Sequence, residues 1–435
     1  MTRKISPAPA LSGTVLLPGD KSISHRYAMI ASIAEGPTRI SNYSTGADCH
    51  STLGCVRALG IEVTGAGTEF VIHGRGLDGL RRPAADLDAG NSGSTIRMLS
   101  GILAAQPFPT RIFGDESLSA RPMQRIMKPL GEMGAAIRAR DGKYPPLEIQ
   151  GGALRPIDYA LPVASAQVKT CVLLAGLYAD GETAVTEPAR SRDHTEIALR
   201  EFGAALRVEG HRIAVAGRPR LEGRDVTVPG DLSSAAFFLA AALLVPGSRL
   251  SIPGAGLNPT RSALLDFLRG MGASIRLPQV ESHNGELVGE IVVEHSELTG
   301  GTIEGELTAA LIDEIPVLAV LGAASREGLV VKDAAELRVK ETDRIRTICE
   351  NLRRMGVEVE ERPDGLMVPG QQRFHTAEID SFGDHRIAMA FAVAALAADG
   401  ESAIHGAEAA SVSFPQFWDT LAAVCGAGFQ PAAGF

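Results

Sequence analysis

The sequence is short of the residues that build metal centres, covalent cross-links and membrane anchors. Its 435 residues include five cysteines, Cys49, Cys55, Cys171, Cys349 and Cys425, an odd number with no Cys-x-x-Cys pair. They are expected as reduced, mostly buried thiols, which excludes a disulfide framework and a cysteine-held metal. His25, His194 and His385 stand far apart, with no second His or Cys at ligand spacing, so no zinc or iron site is expected. The longest apolar stretch, Ala235 to Val245, falls short of the ~18 residues of a membrane span and suits a buried helix. Met1 to Gly13 carries two basic residues but no apolar core of the kind a secretory leader has, and a cytoplasmic protein is expected. Positive charge is in deficit: the net charge is -9 and the pI ≈ 5.7, which argues against a nucleic-acid surface. Also missing are a Walker A run, a Gly-x-Ser-x-Gly elbow and a Rossmann fingerprint.

What the chain does contain is a repeat. Six polar clusters open apolar helical runs: Gly19-Asp20-Lys21-Ser22, Gly90-Asn91-Ser92-Gly93-Ser94, Ser165-Ala166-Gln167, Gly230-Asp231-Leu232-Ser233-Ser234, Asp313-Glu314-Ile315-Pro316 and Gly383-Asp384-His385-Arg386. From Asp20 through Asn91, Ser165, Asp231, Asp313 and Asp384 the steps are 71, 74, 66, 82 and 71 residues. A second marker keeps the same step, a helix closed by Gly60, Gly134, Gly203, Gly272, Gly356 and, less cleanly, Gly426, with a short apolar strand after it. Glycine there supplies the left-handed residue that ends a helix. Each unit reads as two helices with strands between them, too long for one turn of a solenoid. Six units in 435 residues divide as three and three, which makes two domains. The boundary falls at the Pro/Gly turn Thr227-Val228-Pro229-Gly230-Asp231.

Chemistry-bearing groups gather at these helix openings. Lys21 and Arg26 flank a first helical turn for which Ser22 is the expected cap; unpaired N–H groups and the macrodipole favour an anion there. A solvated basic helix start is the rival reading. Gly93 has no Cβ, so a ligand can approach its backbone while Ser94 and Thr95 offer hydroxyls; an ordinary cap is the rival. Arg121 stands before Pro122, which biases it to extended backbone, pre-sets the next helix and lets the guanidinium project toward a carboxylate. Ser165-Ala166-Gln167-Val168-Lys169 and Ser191-Arg192-Asp193-His194-Thr195-Glu196 fit capping boxes, with Ser191 and Thr195 as caps and Gln167, Lys169 and Arg192 as anion contacts.

In the C-terminal half, Asp313 and Glu314 begin a helix, and residues 338–344 pack two acids and three bases into seven positions. Lys340, Arg344 and Arg386 are candidates to hold a second anion, and Asp313 and Glu341 to move protons. A solvated charged helix face is the rival for 338–344, and the adjoining apolar strand Gly328 to Val331 weighs against it. Six helix N-termini with Lys21, Arg26, Arg121, Lys340, Arg344 and Arg386 can be arranged around an inter-domain cleft as an anion trap. Two basic sets imply two anionic substrates, and closure would exclude water.

Nine strings in order, PGDKSISHR, GNSGSTIR, GDESLSARPM, SAQVK, SRDHTE, GDLSSAAFFLAAA, DEIPVLAV, RVKETDRI and GDHRIAMA, resemble the 5-enolpyruvylshikimate-3-phosphate synthases, that is, the 3-phosphoshikimate 1-carboxyvinyltransferases. The resemblance runs from about Leu17 to Phe417, and SAQVK and SRDHTE look like the second, divergent bacterial class. It implies an α/β fold of the enolpyruvyl transferase type, two similar domains each of three βαβαββ units in an inside-out α/β barrel. The lobes implied are 20–228 and, together, 1–19 with 229–435, the chain crossing twice at hinges near 18–20 and 228–231.

The activity implied is transfer of the enolpyruvyl group of phosphoenolpyruvate to the 5-hydroxyl of shikimate 3-phosphate through a tetrahedral intermediate, with release of phosphate and without metal or organic cofactor. That step lies on the shikimate pathway to chorismate and the aromatic amino acids. Carried over motif by motif, shikimate 3-phosphate would meet Lys21, Ser22, Arg26, Ser165, Ala166, Gln167, Arg192, Asp313 and Lys340. Phosphoenolpyruvate would be held by Lys21, Gly93, Arg121, Gln167, Arg344 and Arg386. The implied catalytic groups are Asp313 on the hydroxyl, Glu341 on the methylene carbon and Lys21 at the leaving phosphate. The partners are these two small molecules, with no nucleic acid or membrane, and a monomer is expected.

One departure stands out: many relatives carry a Lys before a Thr-Phe-Pro near the C-terminus, whereas here Ser411-Val412-Ser413-Phe414-Pro415 places Val412 there. Gly93 remains a glycine, so sensitivity to glyphosate, a mimic of phosphoenolpyruvate, is expected. The related UDP-N-acetylglucosamine enolpyruvyl transferases have Lys-Asn at the first motif and a reactive Cys in the loop before the Arg-containing helix. Here the pair is Lys21-Ser22, and no Cys lies between Gly114 and Met123. A non-catalytic phosphometabolite-binding protein would need neither Asp313 nor Glu341.

Overall fold

A computed structural model describes residues 1–426. Contacts divide the chain into two compact units: an N-terminal lobe of Gly19–Pro229 with His283–Glu286, and a C-terminal lobe of Met1–Pro18, Gly230–Ser282 and Leu287–Phe435, the last described as far as 426. Ala427, the strand residue after the sixth glycine marker, lies outside the described residues.

Each lobe holds three small sheets on one plan. In the N-terminal lobe, Asp225–Thr227 runs parallel to Glu35–Ser41, which pairs antiparallel with Glu69–Arg75, itself antiparallel to Glu62–Ala66. The same order recurs in Leu87–Asp88, Pro109–Phe113, Tyr144–Gln150 and Ala136–Arg140, and again in Asp158–Ala160, Glu182–Thr186, Arg212–Ala216 and Leu206–Glu209. The C-terminal lobe repeats it in Ser12–Thr14, Arg249–Gly256, Glu286–Glu294 and Ser274–Arg276, and in Gly301–Ile303, Leu329–Val331, Gly365–Val368 and Glu360–Arg362. Its third sheet sets Glu378–Asp380 parallel to Ser402–His405, which pairs antiparallel with Thr2–Ile5.

The six helices opened by the polar clusters lie inside these sheets. They are Lys21–Ser32, Gly93–Leu103 and Ala166–Gly176 in the N-terminal lobe, and Leu232–Leu244, Ile315–Ala324 and His385–Ala395 in the C-terminal lobe. A helix apolar on every side must be buried on every side, and His385–Ala395 is buried at all its positions. The three C-terminal helices pack on one another, with Phe238, Leu239 and Phe391 among the large side chains in their shared core. Each large side chain so buried contributes about 1.5–3 kcal/mol. Helices inside and sheets outside make each lobe an α/β barrel turned inside out.

Side-chain caps explain why the helices begin where they do. Asp20, Ser92, Ser165, Asp231 and Asp384 accept from the backbone N–H of Ile23, Thr95, Val168, Ser233 and Arg386, satisfying donors that a helix start leaves open. Ser22, expected as the first cap, lies one residue inside the helix, and Asp20 does that work instead. The fifth helix has no side-chain cap bond and starts with Pro316 in its first turn, where a missing N–H costs nothing. All six glycine markers have positive φ, between 76° at Gly356 and 113° at Gly134.

Candidate active-site clusters

In the N-terminal lobe the first helix start brings Lys21 Nζ to 3.1 Å from Asp48 Oδ2, and Ser22 Oγ to 3.5 Å from an Arg192 amino group. Arg26, one turn on, is buried: its Nε donates to Thr195 Oγ1 at 2.6 Å, and its amino groups to Thr170 Oγ1 at 3.0 Å and the Ser22 carbonyl at 2.8 Å. Burial, opposed by the charges of Glu196 and Asp20, pulls its guanidinium down to about 10.

The second helix start lies beside two more cations. A Cβ on Gly93 would sit 2.9 Å from one Arg97 amino group and 3.5 Å from one of Arg121, so the bare backbone of this turn faces two guanidinium ions. Arg97 donates to Gln167 Oε1 at 2.9 Å, and Gln167 Nε2 donates to Ser94 Oγ at 3.0 Å. Ser165 and Ala166 precede Gln167 at the third helix start. Arg121 reaches out of its loop to the turn before Gly93, where one amino group donates to Asn91 Oδ1 at 2.8 Å and also to Ser117 Oγ of its own loop at 3.0 Å. The next helix begins at Gln124, beyond Pro122, so Pro122 does not pre-set its first turn. Asp48 and Arg97 were not singled out from the sequence, although Arg97 lies four residues after Gly93 and thus on the same helical face.

Two further expectations fail in this lobe. Lys169 is no anion contact, because its side chain is 1% exposed and its ammonium lies 2.9 Å from Glu187 and 2.7 Å from Glu196. Nor is there a capping box at Ser191 and Thr195. The helix there is His194–Glu201 without a side-chain cap bond; Ser191 bonds Glu187, and Thr195 Oγ1 serves Arg26 and Thr170.

The C-terminal lobe gathers acids and bases from two repeats. Asp313 Oδ1 lies 3.6 Å from Arg344 and 3.8 Å from Lys340 Nζ, and its Oδ2 lies 3.7 Å from Arg386, which also donates to the Asp313 carbonyl at 3.0 Å. Glu341 Oε2 is 2.6 Å from Arg344, and Asp384 Oδ2 is 2.8 Å from its Nε. Burial acts to lower the Arg344 pKa, but Asp384, Glu341 and Asp313 outweigh it and push the group above the ordinary arginine value. Burial likewise opposes ionisation of Asp384, and the Arg344 charge overcomes it, holding the carboxyl below its usual range. Residues 338–344 are therefore not a solvated helix face. A short helical turn, Ala335–Val339, ends before Lys340, and Arg344 begins the helix Arg344–Arg354 with its side chain buried. Val412 closes the turn Ala407–Val412, half-buried, and adds no cation.

The five cysteines are free and buried, and burial pushes the Cys55, Cys349 and Cys425 thiols up to about 12. Among the described residues no cluster of His, Cys, Asp and Glu is placed to hold a metal ion, and no helix is long and apolar enough to cross a membrane.

The architecture is that of the enolpyruvyl transferases: the enolpyruvyl transferase NikO from Streptomyces tendae, at 19% identity, superposes with a TM-score of 0.78 over 97% of each chain. Within that class the chain belongs to the EPSP synthase family, 3-phosphoshikimate 1-carboxyvinyltransferase, whose profile it matches over residues 5–421. It is 76% identical to the 3-phosphoshikimate 1-carboxyvinyltransferase of Solibacter usitatus over 97% of this chain and 99% of that one. Its counterpart from Koribacter versatilis is 55% identical over 96% and 98%. EPSP synthase from Acinetobacter baumannii is similar in structure, with 41% identity, a TM-score of 0.86 and 97% and 98% of the chains covered. The chain is thus an enzyme of carboxyvinyl transfer in the shikimate pathway.

Proposed function

We propose that the two clusters share the work of moving the enolpyruvyl group of phosphoenolpyruvate to the 5-hydroxyl of shikimate 3-phosphate. Shikimate 3-phosphate is held by Lys21, Ser22, Arg26, Ser165, Ala166, Gln167 and Arg192, with Asp313 and Lys340 at its reacting side. Lys21, Gly93, Arg121, Gln167, Arg344 and Arg386 hold phosphoenolpyruvate, whose carboxylate and phosphate suit planar guanidinium groups and an exposed helix start.

Asp313 takes the proton of the 5-hydroxyl while that oxygen bonds to C2 of phosphoenolpyruvate, and Glu341 gives a proton to the methylene carbon. Glu341 then removes a proton from the new methyl group, the double bond reforms, and phosphate leaves with help from Lys21. Each transfer needs a positioned acid or base beside fixed positive charge. The observation that carries this reading is the meeting of Asp313 and Glu341 on Arg344, at 3.6 and 2.6 Å. Phosphate release that requires shikimate 3-phosphate and is absent with UDP-N-acetylglucosamine tests it. The reading includes a glyphosate-sensitive, monomeric, cytoplasmic enzyme with no nucleic-acid or membrane partner, and light scattering on the purified protein checks the monomer.

A further inference from the structure

We propose that Lys169, buried between Glu187 and Glu196, is a positioning residue that places Arg192 and so sets affinity for the phosphorylated hydroxy acid; this rests on the function proposed above. The three side chains are at most 4% exposed, two acids to one base. Such a cluster is costly to bury, and well-packed apolar groups would often serve stability as well or better. Glu196 shows the strain of it. Its second oxygen has no hydrogen-bond partner among the described residues, and burial pushes its pKa up in spite of Lys169.

What the cluster holds is the proposed substrate side of the lobe. Lys169 sits one turn into the helix whose start carries Ser165, Ala166 and Gln167. Glu187, just after the strand Glu182–Thr186, accepts from the Ser191 hydroxyl and, at 3.4 Å, from the Ser191 backbone N–H. That bond ties down the residue before Arg192, whose own amino group reaches Ser22. Glu196 lies in the first turn of His194–Glu201 beside Thr195, the acceptor of Arg26. One ammonium thus links three segments that bear or brace proposed contacts. A cavity of about 140 Å³ lined by Lys169, Glu187, Ser191, Glu196 and Arg200 lies on this face, so part of what packing does elsewhere falls here to the polar tether.

Replacing the buried Lys169 risks the fold, so the test uses Ser191→Ala, which cuts the tether at a half-buried side chain. KM for shikimate 3-phosphate should rise about tenfold, the worth of one hydrogen bond to a charged group, with kcat and KM for phosphoenolpyruvate within about twofold. Glu187→Gln, which keeps an acceptor for Ser191, should raise that KM less than Ser191→Ala does. The double variant Ser191→Ala with Arg192→Ala should be no worse than Arg192→Ala alone, because both act through one group. An active wild type with Ser191→Ala unchanged, additive with Arg192→Ala, or equally impaired for both substrates overturns the inference alone. A wild type that turns over no shikimate 3-phosphate overturns the function and the inference together.

Discussion

Asp384 Oδ2 lies 2.8 Å from Arg344 Nε with both side chains buried, 0% and 1% exposed, and the same carboxylate caps the helix His385–Ala395. One acid therefore fixes a cation and a helix start together. Removing one partner of a buried pair costs about 3–5 kcal/mol, and without Asp384 the buried Arg344 would keep only Glu341 and Asp313 as counter-ions. Asp384→Asn should lose stability of that order, read from the urea midpoint at neutral pH. A midpoint within error of wild type would show that Arg344 finds its charge balance elsewhere.

Glu341→Gln keeps the shape and a hydrogen-bonding group beside Arg344 but cannot relay a proton. Turnover should fall by about 10²–10⁴-fold, while binding of shikimate 3-phosphate, measured by calorimetry, stays within a few-fold of wild type. Equal losses in both would demote Glu341 to a binding group.

Gly93→Ala adds a methyl 2.9 Å from the tip of Arg97. That tip is the flexible end of a side chain, so the fold should survive and the guanidinium should shift. KM for phosphoenolpyruvate should rise about tenfold or more through misplacement of the cationic turn, and glyphosate should inhibit more weakly. KM for shikimate 3-phosphate should not change.

His25 carries the pH prediction. Burial, with the charges of Lys21 and Arg26, holds its imidazole well below the ordinary 6.5; Nδ1 meets Thr52 Oγ1 at 2.7 Å, and Nε2 has no hydrogen-bond partner among the described residues. The folded protein takes up this proton less readily than the unfolded chain. The associated stability is fully present above 6.5 and drains away as pH falls below it. Wild type should lose about 1.4 kcal/mol relative to His25→Asn for each pH unit below that point. Parallel stability curves for the two proteins between pH 7 and 5.5 would refute it.

The repeat was legible because its signals are local. Asp20, Asp231 and Asp384 cap their own helices, and Gly60 or Gly134 must adopt a left-handed backbone wherever the chain goes next. The Arg344 cluster was half legible: Glu341 and Arg344 share one turn of chain, but Asp384 is 40 residues away and looked like a helix opener only. Lys169 misled for the same reason. A lone lysine in an apolar helix reads as a cation reaching for a ligand, and its partners lie 18 and 27 residues downstream in other elements. Local pattern gives helix starts and stops, whereas charge pairing across the core depends on distances that only folding sets.

Thr2 pairs with His405 across two neighbouring strands, so the strand Thr2–Ile5 cannot find its place until a partner 403 residues further along has been made. The segment Gly19–Pro229, nearly continuous in one lobe, has no such wait and can assemble during synthesis. Biogenesis should therefore pass through a stage in which the N-terminal lobe is finished and the strand Thr2–Ile5 still hangs unpaired, a stage at which chaperones and proteases have their best chance to act.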